Sequence, residues 1–179
     1  MGEAERTGAN PASAAPALFR TRAPFYSETV ERKVAELGYR LIGNAHEDVL
    51  TALEATLKAI YRHLVRTRLP DQFSRLGSKQ AIGTAFQNIE RATALYAHLG
   101  IEPFSVLAPA DVECLELNIQ KRHVLGHNLG VADESYVDIA GDGKAGETIR
   151  LLGNEIRLFA ESCSAVVSNL EQHLLPDTP

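Results

Sequence analysis

Apolar residues recur along most of the chain at spacings of three and four, and no segment alternates long enough to read as a half-buried strand. Val30, Val34, Leu37 and Leu41 form the first such stripe and predict a helix from about Ser27 to Ile42, ended by Gly43 and Asn44. Val49, Leu50, Leu53, Leu57, Ile60, Tyr61 and Leu64 predict a second, from His46 to Arg68, stopped by Pro70. Ile82, Ala85, Phe86, Ile89, Ala92, Tyr96 and Leu99 predict a third from Lys79 to Leu99, with Gly83 tolerated inside it and Gly100 in the place of a C-terminal glycine cap. A fourth is expected from Ala110 to Gly126 or His127, and a fifth from Asn154 to Leu174.

Between the last two lies an irregular stretch, residues 128–153, punctuated by five glycines, with a short extended segment expected over 147–152. Connections of this length inside a helical domain are more often functional than ordinary ones. Residues 1–17 are rich in Ala, Gly and Pro and hold almost no large apolar side chain, so they have little to offset the entropy of ordering. The expected organisation is a disordered tail over 1–20 and one helical domain over 24–175. The fold class is an all-α bundle of about five helices.

Composition narrows the function. The 179 residues carry 18 Lys and Arg against 23 Asp and Glu, a net charge of -5. Such a chain is a poor non-specific nucleic-acid binder, although a local basic site remains open to it. Arg62, His63, Arg66 and Arg68 crowd the end of the second helix, where favourable interaction with the helix dipole explains them as readily as RNA guidance does. Cys114 and Cys163 are far apart and form no CxxC, which reads as two reduced thiols. No apolar run approaches membrane-spanning length and the N-terminus lacks the apolar core of a signal peptide, so a soluble cytoplasmic protein is expected.

Residues 121–136 concentrate the candidate chemistry. At about 100° per residue, Arg122 and the histidines His123 and His127 flank the continuation of the Val112, Leu115, Ile119 stripe, with Gly126 between them. The fourth helix is apolar on its other sides too, through Cys114, Leu117, Val124 and Leu125, which is the pattern of a central helix. A guanidinium there needs a carboxylate from within the bundle, water, or an anionic ligand. Glu54 is one internal candidate; it also stands four residues before Lys58, in favourable order for a helical ion pair. Arg122 and His127 are five apart and diverge by about 140° on an ideal helix, so a shared site requires the helix to unwind near Gly126 or a second chain to complete it.

Two other patterns carry less. Gly141-Asp142-Gly143-Lys144-Ala145-Gly146 matches G-x-G-x-x-G literally, but a dinucleotide site needs a parallel sheet around that turn. His123 and His127 have the i, i+4 spacing of a metal pair, yet no H-E-x-x-H glutamate lies between them and no third ligand is forced. No metal and no cofactor is expected.

The six residues Arg122-His123-Val124-Leu125-Gly126-His127 resemble the Arg-polar-x3-His motif of HEPN domains, and Asn128-Leu129-Gly130-Val131-Ala132-Asp133-Glu134-Ser135-Tyr136 resembles the continuation found in several HEPN subfamilies. Ala52-Leu53-Glu54 with Lys58 is similar to the acidic helix segment of many members, and Phe86-Gln87-Asn88 with Glu90-Arg91 is also similar. The resemblance covers residues 44–152. It implies a helical bundle that dimerises and a metal-independent endoribonuclease of the kind found in toxin–antitoxin and phage-defence systems, with RNA as substrate and an antitoxin or a neighbouring defence protein as a further partner. Its non-catalytic members imply the alternative, a module that binds RNA, nucleotide or a protein.

The resemblance further implies that Arg122 clamps the phosphate and His127 moves the proton, with both pairs meeting in a cleft between two subunits. His123 would hold the substrate or His127, Asn128 would position the phosphate, and Glu54 would orient Arg122 beside Lys58. Tyr136 would stack on a base or anchor the loop that carries Asp133. The chemistry is coherent, since histidine is the side chain suited to proton transfer near neutrality and arginine to a phosphorane gaining charge.

Overall fold

A computed structural model of the protein describes residues 22–174 except Leu129 and Asp142, with side chains from Glu28 onward. The tail expected over 1–20 lies outside the described residues. The chain divides into two units, residues 1–40 and residues 41–179. The described part of the first is helical, carries the exposed Glu36–Arg40 pair at 2.7 Å, and leaves Val30, Val34 and Leu37 exposed.

The architecture is all-α. Among the described residues there are seven α-helices: α1 (Arg22–Arg68), α2 (Phe73–Leu76), α3 (Lys79–Ile82), α4 (Ile89–Ala97), α5 (Pro109–Asn128), α6 (Glu134–Ala140) and α7 (Gly153–Glu171). Two of the expected helices are one. Gly43 and Asn44 do not end the first helix, because a mid-helix glycine costs only about 1 kcal/mol and Gly43 lies in the packing; a Cβ there would sit 3.8 Å from Leu151 and 4.0 Å from Leu125.

The third expected helix is instead broken. Ser78 caps α3 by accepting from the Ala81 N–H at 3.1 Å, and Gly83 ends it one turn later at φ 46°, ψ -123°, a conformation closed to residues with a Cβ. Asn88 then starts α4, its Oδ1 accepting from the Arg91 N–H at 2.9 Å. Gly100, at φ 68°, closes α4 as its place in the sequence suggests, with the Ile101 N–H reaching back to the Tyr96 carbonyl at 3.2 Å.

The core of the second unit joins α1, α4, α5 and α7 through Leu53, Leu57, Leu64, Tyr96, Leu115, Phe159 and Val166. Tyr61, Phe86 and Tyr96 meet edge to face, with ring centroids 5.4 to 6.0 Å apart, and the Tyr96 hydroxyl donates to the Leu57 carbonyl at 2.7 Å.

The stretch expected to be irregular holds a helix of its own. Asp133 caps α6, its Oδ1 accepting from the Tyr136 N–H at 2.8 Å, and Gly141 closes it in the left-handed region at φ 68°. The extended segment is present only as an isolated antiparallel bridge, Val131 to Thr148, with Ala132 and Glu147 sharing a 2.8 Å backbone bond. The G-x-G-x-x-G match falls between α6 and this bridge, and no sheet surrounds it among the described residues. No helix of the described residues is long and apolar enough to cross a membrane.

Candidate functional site

Helix α5 carries the site, and its buried stripe is unusually polar: Leu115, Asn118, Lys121 and Val124. Asn118 Nδ2 donates to the Cys114 carbonyl at 2.7 Å, so its Oδ1 is the acceptor that faces His46 Nε2 at 3.1 Å. His46 therefore carries its proton on Nε2. The ring is fully buried, edge-on to Phe159 at 5.0 Å, and its Nδ1 has no partner. Burial holds its pKa below the ordinary value, and the charges of Lys121 and Arg122 add to that; the Asn118 bond opposes them.

Lys121 and Arg122 are neighbours that leave α5 about 100° apart, and each is held by a carboxylate. Lys121 is buried and its Nζ lies 3.0 Å from Glu155 Oε2 on α7, beside a cavity of about 370 Å3. Arg122 is half-buried, and its Nη1 donates to Glu54 Oε2 on α1 at 3.2 Å. The same oxygen accepts from Gln87 Nε2 at 3.0 Å, while Lys58 Nζ stands 3.6 Å from the other. Burial pushes the Glu54 carboxyl up, but the bonds from Gln87 and Arg122 and the charge of Lys58 outweigh it, so its pKa lies below the ordinary carboxylate value.

Arg122, His123, Gly126 and His127 border one cavity of about 510 Å3, which Glu47, Gln87, Asp133, Ser135 and Tyr136 also line. Both histidines are exposed, and their ring centroids are 4.6 Å apart. The helix does not unwind at Gly126 but runs unbroken to Asn128. Arg122 and His127 still reach one cavity within a single chain, because the arginine is long and Gly126 places no side chain between them.

The remaining expected site residues divide. Glu54 and Lys58 stand behind Arg122 rather than on the cavity wall. Asn128 commits its Nδ2 to Asp133 Oδ2 at 2.8 Å, which fixes the entry to α6. Asp133 lines the cavity, but its two oxygens serve Asn128 and the α6 cap. Tyr136 lines the cavity too but is only 7 % exposed, so it anchors α6 rather than offering a free face for a base.

Sequence reasoning missed Gln87 and Glu47 as site residues. Glu47 stands seven residues before Glu54, two turns along one helix face, a spacing that was available to find it. Gln87 stood only within the Phe86-Gln87-Asn88 resemblance and with no role attached, because its position depends on the break at Gly83. Of the basic run, Arg66 covers the Phe73 ring at 4.7 Å and Arg68 donates to the His173 carbonyl at 2.9 Å, so two of its cations hold structure.

Cys114 and Cys163 are free thiols, and burial pushes Cys163 up to about 12. Among the described residues no group of three or more His, Cys, Asp or Glu comes together as a metal site. An anchored guanidinium beside two exposed imidazoles in an open cavity can bind a phosphate and exchange protons with its substituents. The chain matches no family model, no curated protein and no solved structure.

Proposed function

We propose that the chain is a metal-independent endoribonuclease of the HEPN type, cleaving RNA in the cavity bordered by Arg122 and His127. The observation that carries this reading is the meeting of an anchored arginine and two exposed imidazoles around one open cavity. One guanidinium N–H is spent on Glu54, and a phosphate can take a pair of the other four.

The ribose 2′-hydroxyl loses its proton to an imidazole as its oxygen attacks the adjacent phosphorus. The P–O5′ bond then breaks, and the leaving oxygen takes a proton. The products are a 2′,3′-cyclic phosphate and a 5′-hydroxyl. His127 moves the proton, His123 holds it or the substrate in place, and Arg122 stabilises the charge that gathers on the phosphorane. The resemblance adds a homodimer in which the same stretch of a second chain faces this cavity, and a role as a cytoplasmic toxin or defence effector.

The test is cleavage of single-stranded RNA in EDTA, with the product ends read by mass spectrometry. Wild type is expected to leave cyclic phosphate ends. Arg122→Ala and His127→Ala are each expected to lose at least about 100-fold in rate with the fold intact. A 2′-deoxy substitution at the cut site is expected to block the reaction. Absence of cleavage, or an equally active His127→Ala, overturns the reading; RNA binding without cleavage points to the non-catalytic module.

A further inference from the structure

His123 and His127 occur on an unbroken helix at i and i+4, both exposed, with their ring centroids 4.6 Å apart. A metal bound by two imidazole nitrogens at about 2.1 Å lies about 3.2 Å from each ring centroid, so the centroids stand about 4.5 Å apart in a cis pair at about 90° and about 5.2 Å apart in the tetrahedral arrangement that zinc prefers. The two rings stand near the lower end of that range, and both are exposed side chains with room to open to it. Holding both ligands on one helix also removes the entropy of bringing them together.

Charge does not forbid a cation here. Against Arg122 and Lys58 stand Glu54 between them and the carboxylates of Glu47 and Asp133, which border the same cavity. No third protein ligand completes a set among the described residues, so water or an anion fills the remaining positions.

We propose that His123 and His127 chelate one divalent transition-metal ion of the Zn2+ type, and that this ion closes the cavity to substrate. Imidazole is a preferred ligand of such ions, whereas Mg2+ and Ca2+ favour oxygen donors, so the site discriminates between the two classes. The binding claim stands apart from the ribonuclease reading. The claim of inhibition rests on it, because the ion occupies both imidazoles and so removes the group that moves the proton.

The experiment titrates ZnCl2, and MgCl2 in parallel, into the full chain without a polyhistidine tag, by calorimetry in buffer without chelator. One Zn2+ per chain and no measurable Mg2+ are expected. His123→Gln and His127→Gln are each expected to weaken Zn2+ binding about ten-fold or more, and the double variant to abolish it. His63→Gln, a change at an exposed histidine on α1, is expected to bind as wild type does. His123→Cys, kept reduced, is expected to restore binding that His123→Gln loses, since thiolate is also a zinc ligand.

Circular dichroism checks that each variant is folded. A double variant that binds within about two-fold of wild type, or a wild type that ignores millimolar Zn2+, overturns the site. RNA cleavage by wild type is then measured with Zn2+ at the concentration that fills the site, followed by EDTA. Inhibition reversed by EDTA supports the closure. Unaffected cleavage at full occupancy overturns the closure alone, and Zn2+ binding by a wild type that cuts no RNA overturns the ribonuclease reading while leaving the metal site.

Discussion

Replacing Glu54 by alanine strands Arg122. The Glu54 side chain is 16 % exposed and that of Arg122 25 %, so the pair is mostly withdrawn from water without being sealed. Exposed pairs contribute about 0–1 kcal/mol, and breaking a buried pair costs about 3–5 kcal/mol. This pair falls between them, and the lost oxygen also served Gln87. The expected cost of Glu54→Ala near neutral pH is therefore about 2–3 kcal/mol, of which the Glu54–Arg122 coupling accounts for about 1–2 kcal/mol.

The coupling has a sign in pH. The Glu54 pKa in the folded chain lies below its ordinary value of 4.5. A depressed carboxylate contributes stability that is fully present above the unfolded pKa and is lost as pH falls through the folded one. Urea unfolding of wild type, Glu54→Ala, Arg122→Ala and the double variant, followed by circular dichroism, gives the coupling directly. It is expected in full at neutral pH and to shrink in steps taken below the ordinary carboxylate value. A neutral-pH coupling under about 0.3 kcal/mol, or one that is flat through the acid range, refutes the view that Glu54 holds Arg122.

Outcomes at three further residues follow from the geometry. His46 is neutral and buried with its pKa lowered, so its contribution to stability is complete above the unfolded value of 6.5 and is lost as pH drops toward the folded one. His46→Leu is expected to flatten that part of the stability–pH curve, read by urea unfolding, whatever it does to absolute stability. Gly83 holds φ 46°, and Gly83→Ala is expected to cost about 1–3 kcal/mol by thermal or urea unfolding. Gly126 has nothing within 4 Å of where a Cβ would stand. Gly126→Ala is expected to raise stability by up to about 1 kcal/mol, while Gly126→Val, whose branches reach the space between Arg122 and His127, is expected to cut RNA cleavage with the fold kept.

What the sequence showed and what it hid separate by physical cause. Stripes such as Leu53, Leu57, Ile60 and Leu64 announce themselves because helical burial repeats with the helical period, and they are buried as expected. The run through Gly43 was hidden, since a glycine's local penalty is small and the side chains that stand nearest the place of its missing Cβ, Leu125 and Leu151, are far away in sequence. The break at Gly83 was hidden for the opposite reason, because a stripe of apolar positions continues across it although the backbone does not. Helix α6 was legible in principle, with Asp133 as its N-cap and Gly141 as its closing residue, but five glycines in the surrounding stretch masked a helix of seven residues. Around Arg122 the partner Glu54 was legible from the charge it had to neutralise. Gln87 was not, since only the break places it.

The break at Gly83 bears on the site as well as on the fold. A continuous helix from Lys79 to Leu99 would carry residue 87 on a straight path set by helical geometry alone. The left-handed step at Gly83 and the 3-10 turn Ala85–Gln87 replace that path with one that brings the Gln87 amide to the oxygen holding Arg122. Asn88 then restarts the helix, so Ile89, Ala92 and Tyr96 still reach the core. Glu54 Oε2 is thus fixed from α5 and from the turn before α4 together. The turn also carries Phe86 into the aromatic core, so loosening it costs packing there and loosens the guanidinium as well. A stability loss at Gly83 accompanied by a loss of function larger than the stability change explains is the signature of that link.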